Sequence, residues 1–147
     1  MAKIIGLAGS LRSGSFNSAL LRAAAEVAPK SLEVQIASIA GIPLYDADLE
    51  SEKGLPETVT ALKELVAAAD GFLIVTPEYN SSMPGVLKNA IDWLSRPAKD
   101  ISRVFGDKPV GLFGAAQVFD AQGVLVDEKI KKLLTELMVG FSAFVDE

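Results

Sequence analysis

The 147-residue chain contains no cysteine and no histidine. Without cysteine there is no disulfide, no thiolate metal site, no cysteine-phosphatase chemistry and no CxxC redox pair. Without histidine there is no Ser-His-Asp triad and no imidazole metal ligand. Positive charge is scarce too: 14 Lys and Arg against 19 Asp and Glu give a formal net charge of −5. That balance argues against broad nucleic-acid binding and against an anionic membrane surface. No apolar run reaches the ~20 residues needed to span a bilayer. Met1-Ala2-Lys3 leads into a strand-like run, not a signal peptide. The expectation is one cytoplasmic domain over residues 1–147, with no metal site and no catalytic acid or base. Such an enzyme would borrow its chemistry from a cofactor.

Half of the residues are apolar, enough for a real core. Their patterning alternates between two periods. Lys3 to Ala8 is a short apolar run ending at a Gly-Ser turn, as in a buried parallel strand. Leu20, Leu21, Ala24 and Val27 fall at helical spacing within Asn17 to Val27. Leu32 to Ala37 alternates like a strand near a sheet edge. Residues 41–54, GIPLYDADLESEKG, read as loop. Pro56 to Ala69 predicts a helix with Val59, Leu62, Leu65 and Val66 facing inward. Gly71 to Thr76 is the most hydrophobic strand and is expected at the centre. Met83 to Ser95 predicts a helix with Pro84 near its first turn. Val110 to Phe113 predicts a fourth strand. Val126 to Phe144 predicts an amphipathic helix facing inward through Ile130, Leu133, Leu134, Leu137, Met138 and Phe141. Strand–helix alternation implies a three-layer α/β/α domain with a parallel sheet.

Two polar loops follow predicted central strands, where ligands of such folds collect. In GLAGSLRSGSFN, Gly9 and Gly14 have P-loop spacing, but Ser15 and Phe16 stand where that motif needs Lys and a hydroxyl residue. Neutral donors from Ser10, Ser13, Ser15, Asn17 and Ser18, with one charge from Arg12, suit a monophosphate without a metal. The same residues also suit an ordinary strand-to-helix turn in which Ser and Asn cap the helix. The second loop, TPEYNSSMPG, offers Tyr79, Asn80 and several backbone amides, with Pro77 restraining its entry. It could run along the edge of a planar heterocycle, or be only a proline-rich helix entry. Glu78 fits a local turn cap or an ion-pair partner, and Lys88 with Asp92 a surface pair. Core burial is favoured over an interface for Trp93.

Taken together, GSLRSGSFN and TPEYNSSMPGVLKNAIDW closely resemble the NADPH-dependent FMN reductase family, especially its quinone, chromate and azo-compound reductases. IPLYDADL at Ile42 to Leu49 is similar as well, and the likeness runs from Lys3 to Ala115. The resemblance implies a flavodoxin-like fold with strand order 2-1-3-4-5. It further implies that Ser10, Arg12, Ser15, Phe16, Asn17 and Ser18 surround the FMN phosphate. Pro77, Glu78, Tyr79, Asn80 and Ser81 would line the isoalloxazine. The implied activity is hydride transfer from NAD(P)H to FMN, then reduction of a quinone-like acceptor, by a homodimer or homotetramer.

The family pattern is broken after Ala115. There KPVGLFGA runs straight into AQVFDAQGVLVDEKIKK, so roughly 30–40 residues, one helix-plus-strand unit, are missing before Gln117. The expected sheet order becomes 2-1-3-4, with Val110 to Phe113 as an open edge. One alternative is therefore a non-catalytic flavodoxin-like module that binds FMN or dimerises without turnover. An electron-carrier flavodoxin fits less well, because the loops lack an acidic rim.

Overall fold

In the computed structural model, residues 1–115, 119–120 and 122–146 are described. Four strands form one parallel sheet in the order β2-β1-β3-β4. They are β1 (Ala2–Ala8), β2 (Leu32–Ala37), β3 (Gly71–Val75) and β4 (Val110–Phe113). The two central strands, β1 and β3, pair from Ile4 opposite Gly71 to Ala8 opposite Val75. This is the flavodoxin-like order expected, with no fifth strand among the described residues. The junction at 115–117 lies partly outside them.

Strand pleating sends alternate residues to two apolar layers. Leu73 and Val75 pack with α1 (Phe16–Val27) and α6 (Glu128–Val145) through Leu20, Leu21, Ala24, Leu134, Met138 and Phe141. Ile5, Leu7 and Phe72 face α3 (Glu57–Ala67), α4 (Gly85–Leu94) and the short α5 (Ile101–Phe105). Here lie Leu62, Val66, Ala90, Leu94 and Val104.

Several expectations are corrected. Residues 41–54 are not all loop, because Ala47–Lys53 forms α2, capped when Asp46 accepts from the Asp48 N–H at 2.9 Å. A 3₁₀ turn (Ala98–Asp100) and α5 were not foreseen, since their short spans carry too little periodicity. In α3 the inward stripe is Val59, Leu62, Lys63 and Val66, while Leu65 is exposed. That stripe keeps strict i, i+3, i+4, i+7 spacing, and Leu65 falls outside it. Lys63, almost fully buried, is satisfied by the Arg96 carbonyl and by Asp100 at 3.0 Å. On α6 only Leu134, Met138, Phe141 and Ser142 are buried; Leu133 and Leu137 are exposed. Among the described residues the sheet ends at β4, and the second apolar stripe of that helix is not buried.

This last correction is measurable. Met138→Ala should cost about 2–5 kcal/mol of unfolding free energy, whereas Leu133→Gln and Leu137→Gln should each change it by within ~0.5 kcal/mol. Denaturant midpoints of the three variants test the assignment, and equal losses would refute it.

Candidate functional site

The two polar loops emerge side by side from the carboxyl ends of β1 and β3, where the strand order reverses. Their contact is close. The Gly9 N–H donates to the Val75 carbonyl at 2.8 Å, and a Cβ on Gly9 would stand 2.2 Å from Thr76 Oγ1. A third segment joins them, because the Thr76 N–H donates to the Phe113 carbonyl at 2.9 Å. Asn17 Oδ1 accepts from the Ala115 N–H, also at 2.9 Å. The first turn of α1 is thereby tied to the end of β4.

In the first loop, several residues already have protein partners. Ser15 Oγ is the N-cap of α1, accepting from the Ser18 N–H at 3.3 Å. Ser10 Oγ accepts from the Arg12 N–H at 3.3 Å. The Arg12 guanidinium lies 5.5 Å from the centre of the Phe16 ring, and Phe16 stacks on Phe119 at 6.0 Å. Arg12 makes no ion pair among the described residues. The capping reading and the anion reading are compatible: Ser15 and Asn17 build the helix start, and the first-turn N–H groups of Phe16 and Asn17 have no described protein acceptor. Sequence reasoning missed Arg22. One turn beyond Ser18, it lines the depressions on both sides of this loop and also makes no ion pair among the described residues. Helical i, i+4 spacing from Ser18 was the available signal.

The second loop is a tight hairpin. Tyr79 and Ser82 exchange backbone hydrogen bonds of 2.8 and 3.1 Å, and Asn80 and Ser81 between them have φ of 50° and 59°. Left-handed conformations at two successive non-glycine residues cost energy. The turn leaves the Asn80 and Ser81 amides without described acceptors. Tyr79 is exposed, and Pro77 and Glu78 are half-buried at the base. Glu78 makes neither the side-chain turn cap nor the ion pair expected of it, among the described residues.

The segment after β2 is fixed from α4. Asn89 accepts from the Tyr45 N–H at 2.8 Å and donates to the Pro43 carbonyl at 2.8 Å. Trp93, fully buried as favoured, donates to the same carbonyl at 2.8 Å. Glu50 then receives both the Tyr45 hydroxyl, at 2.9 Å, and Arg96 Nε, at 2.8 Å. The Arg96 bond is the main reason the Glu50 carboxyl is held below its ordinary range; the Glu50 bond in turn raises the Tyr45 phenol. Lys88 and Asp92 form the expected exposed pair at 2.5 Å, worth little in stability.

These features can hold a phosphate and border a planar ring. A model of the NADPH-dependent FMN reductase family matches residues 2–142. The chain belongs to that family. The NAD(P)H-dependent FMN reductase of Pseudomonas aeruginosa is 36% identical to it over 179 aligned positions, covering 97% of this chain and 95% of that protein. Those 179 positions, set against 147 residues, leave at least 32 without a residue here. A quinone reductase of Escherichia coli is 59% identical over 95 residues, which are 64% of this chain and 50% of that protein. In that match the chain spans only half the length of its relative. FerB, a flavoenzyme NAD(P)H:(acceptor) oxidoreductase of Paracoccus denitrificans, superposes with a TM-score of 0.81 at 27% identity, over 99% of this chain and 98% of that one.

Two outcomes check this geometry. Gly9→Ala should push the two loops apart and weaken FMN binding at least tenfold in a fluorescence titration, because its Cβ has no room beside Thr76. Glu50 contributes stability above the ordinary carboxylate range, and loses it as pH falls through its lowered folded value. Melting curves of Glu50→Gln and the parent should therefore differ at neutral pH and converge only once the pH lies under the ordinary carboxylate range, below the lowered Glu50 value.

Proposed function

We propose that this chain is an FMN-dependent NAD(P)H:acceptor oxidoreductase whose acceptor is a quinone-like small molecule. One observation carries the reading: donor-rich loops on adjacent central strands, in a chain that belongs to the NADPH-dependent FMN reductase family. Relatives named as quinone reductases support the acceptor class. When bound, FMN would supply the hydride and electron chemistry that the side chains lack.

The residues divide the binding task. Ser10, Ser18 and the first-turn amides of Phe16 and Asn17 would hold the phosphate, with Arg12 and Arg22 supplying positive charge. Ser15 and Asn17 would keep those amides in place through the N-cap and the bond to Ala115. Pro77, Glu78 and Tyr79 would border the ring, and the unpaired amides of Asn80 and Ser81 would donate to its edge. In this reading the protein works in the cytoplasm as a homodimer or homotetramer. The net charge of −5 supports its having no nucleic-acid partner; no helix among the described residues is long and apolar enough to cross a membrane.

A second reading is a flavin-binding module without turnover, and the ending of the sheet at β4 among the described residues favours it. FMN titration followed by NAD(P)H oxidation with methylbenzoquinone separates the two. The enzyme reading expects one FMN per chain and quinone-dependent oxidation. Binding without oxidation would leave the module, and failure to bind would refute both. Arg12→Ala should weaken FMN binding by about 1.5–3 kcal/mol if its guanidinium bonds the phosphate.

A further inference from the structure

β4 leaves part of the sheet bare beside the second loop. Its register places Val110 opposite Phe72 and Leu112 opposite Ile74, on the face where Phe72 packs against α3, α4 and α5. No described element covers that end of the face, and Val110 and Leu112 are 52% and 66% exposed. Between them and the Leu87–Ile91 side of α4 runs an apolar trough of about 680 Å³.

The trough has two chemically different ends. Its polar end is made by Thr76, Glu78, Ser81 and Ser82 of the second loop. Its apolar end reaches Val110, whose partner Phe72 lies four residues before Thr76. At strand spacing this is a run of about 13 Å. A concave, mostly apolar trough of this volume with a few polar groups at one end has the make-up of a small-molecule site, and the gradient selects a molecule with a polar head and an apolar tail.

We propose that the trough binds the hydrocarbon tail of a ring-alkylated quinone, the head lying at the loop from Thr76 to Ser82. The head-group part rests on the reductase reading above; the tail part rests on the trough alone. A second copy of the chain is a poorer occupant. An apolar surface of a second copy would match only the apolar end and leave Thr76, Glu78, Ser81 and Ser82 unmatched.

The test compares methylbenzoquinone with hexylbenzoquinone on the FMN-supplied chain. The dissociation constants of the oxidised quinones are read by calorimetry without NAD(P)H, and KM is read separately. Five extra methylenes at about twofold each, half the gain of full burial, predict about thirtyfold tighter binding of the hexyl compound. Leu112→Glu, at an exposed position that tolerates charge, should reduce that ratio below about threefold. The same preference should persist in the chain without FMN if the trough alone holds the tail. Equal affinities of the two quinones would overturn the proposal, as would an unchanged ratio in Leu112→Glu. A dimer in sedimentation that Leu112→Glu dissociates, and that excludes the hexyl compound, would give the trough to a second copy instead. Tail preference without NAD(P)H oxidation would uphold the trough and refute the reductase reading, so the two failures remain distinct.

Discussion

The parallel pairing of β1 with β3, from Ile4–Gly71 to Ala8–Val75, brings two sequence-distant loops into one place. Neither loop makes up the candidate site alone. The first is a helix start with spare amides, and the second is a strained hairpin. Their joint use depends on an approach so close that Gly9 can carry no side chain beside Thr76. The order 2-1-3-4 also creates the reversal point at which such folds bind ligands.

Around that pairing the molecule uses side chains as ties between elements that share no sheet hydrogen bonds. Asn17 joins α1 to the end of β4. Asn89 and Trp93 hold Pro43 and Tyr45 onto α4. Glu50 accepts from both Tyr45 and Arg96, and Lys63 secures the turn that carries Arg96 and Asp100. Polar groups placed in this way, Asn17, Lys63 and Trp93 buried and Asn89 and Glu50 half-buried, fix position as well as adding stability, because a displaced partner would leave a partly desolvated group unpaired.

The strands and their order were legible because each is a short apolar run bounded by turn residues. The four strands were foreseen within one residue at each end. The long helices were legible from their periodicity, although α6 shows the limit of that signal. Its sequence carries two apolar stripes, and in the described fold only the one through Leu134, Met138 and Phe141 is buried, while Leu133 and Leu137 stay exposed. Lys63 was unreadable for the opposite reason: its acceptors lie on a turn more than thirty residues away. At the candidate site, residue types pointed to two loops that the fold brings side by side, but not to the division between capping and spare donors. That division depends on α1 starting at Phe16, which makes Ser15 its N-cap, and on Asn17 meeting Ala115.

The bond between Asn17 and Ala115 spans 98 positions, that between Lys3 N–H and Asp70 spans 67, and that between Ser31 and Ser142 spans 111. Each closes a long loop whose entropy must be spent before the contact returns anything. A high contact order of this kind slows folding. During synthesis β1 emerges well before the partners on its β3 side, and α1 has no α6 to cover it until the C-terminal helix is made. The early half of the chain therefore spends its first seconds with apolar strand and helix faces unsheltered, so the yield of native protein depends on how quickly the last helix arrives.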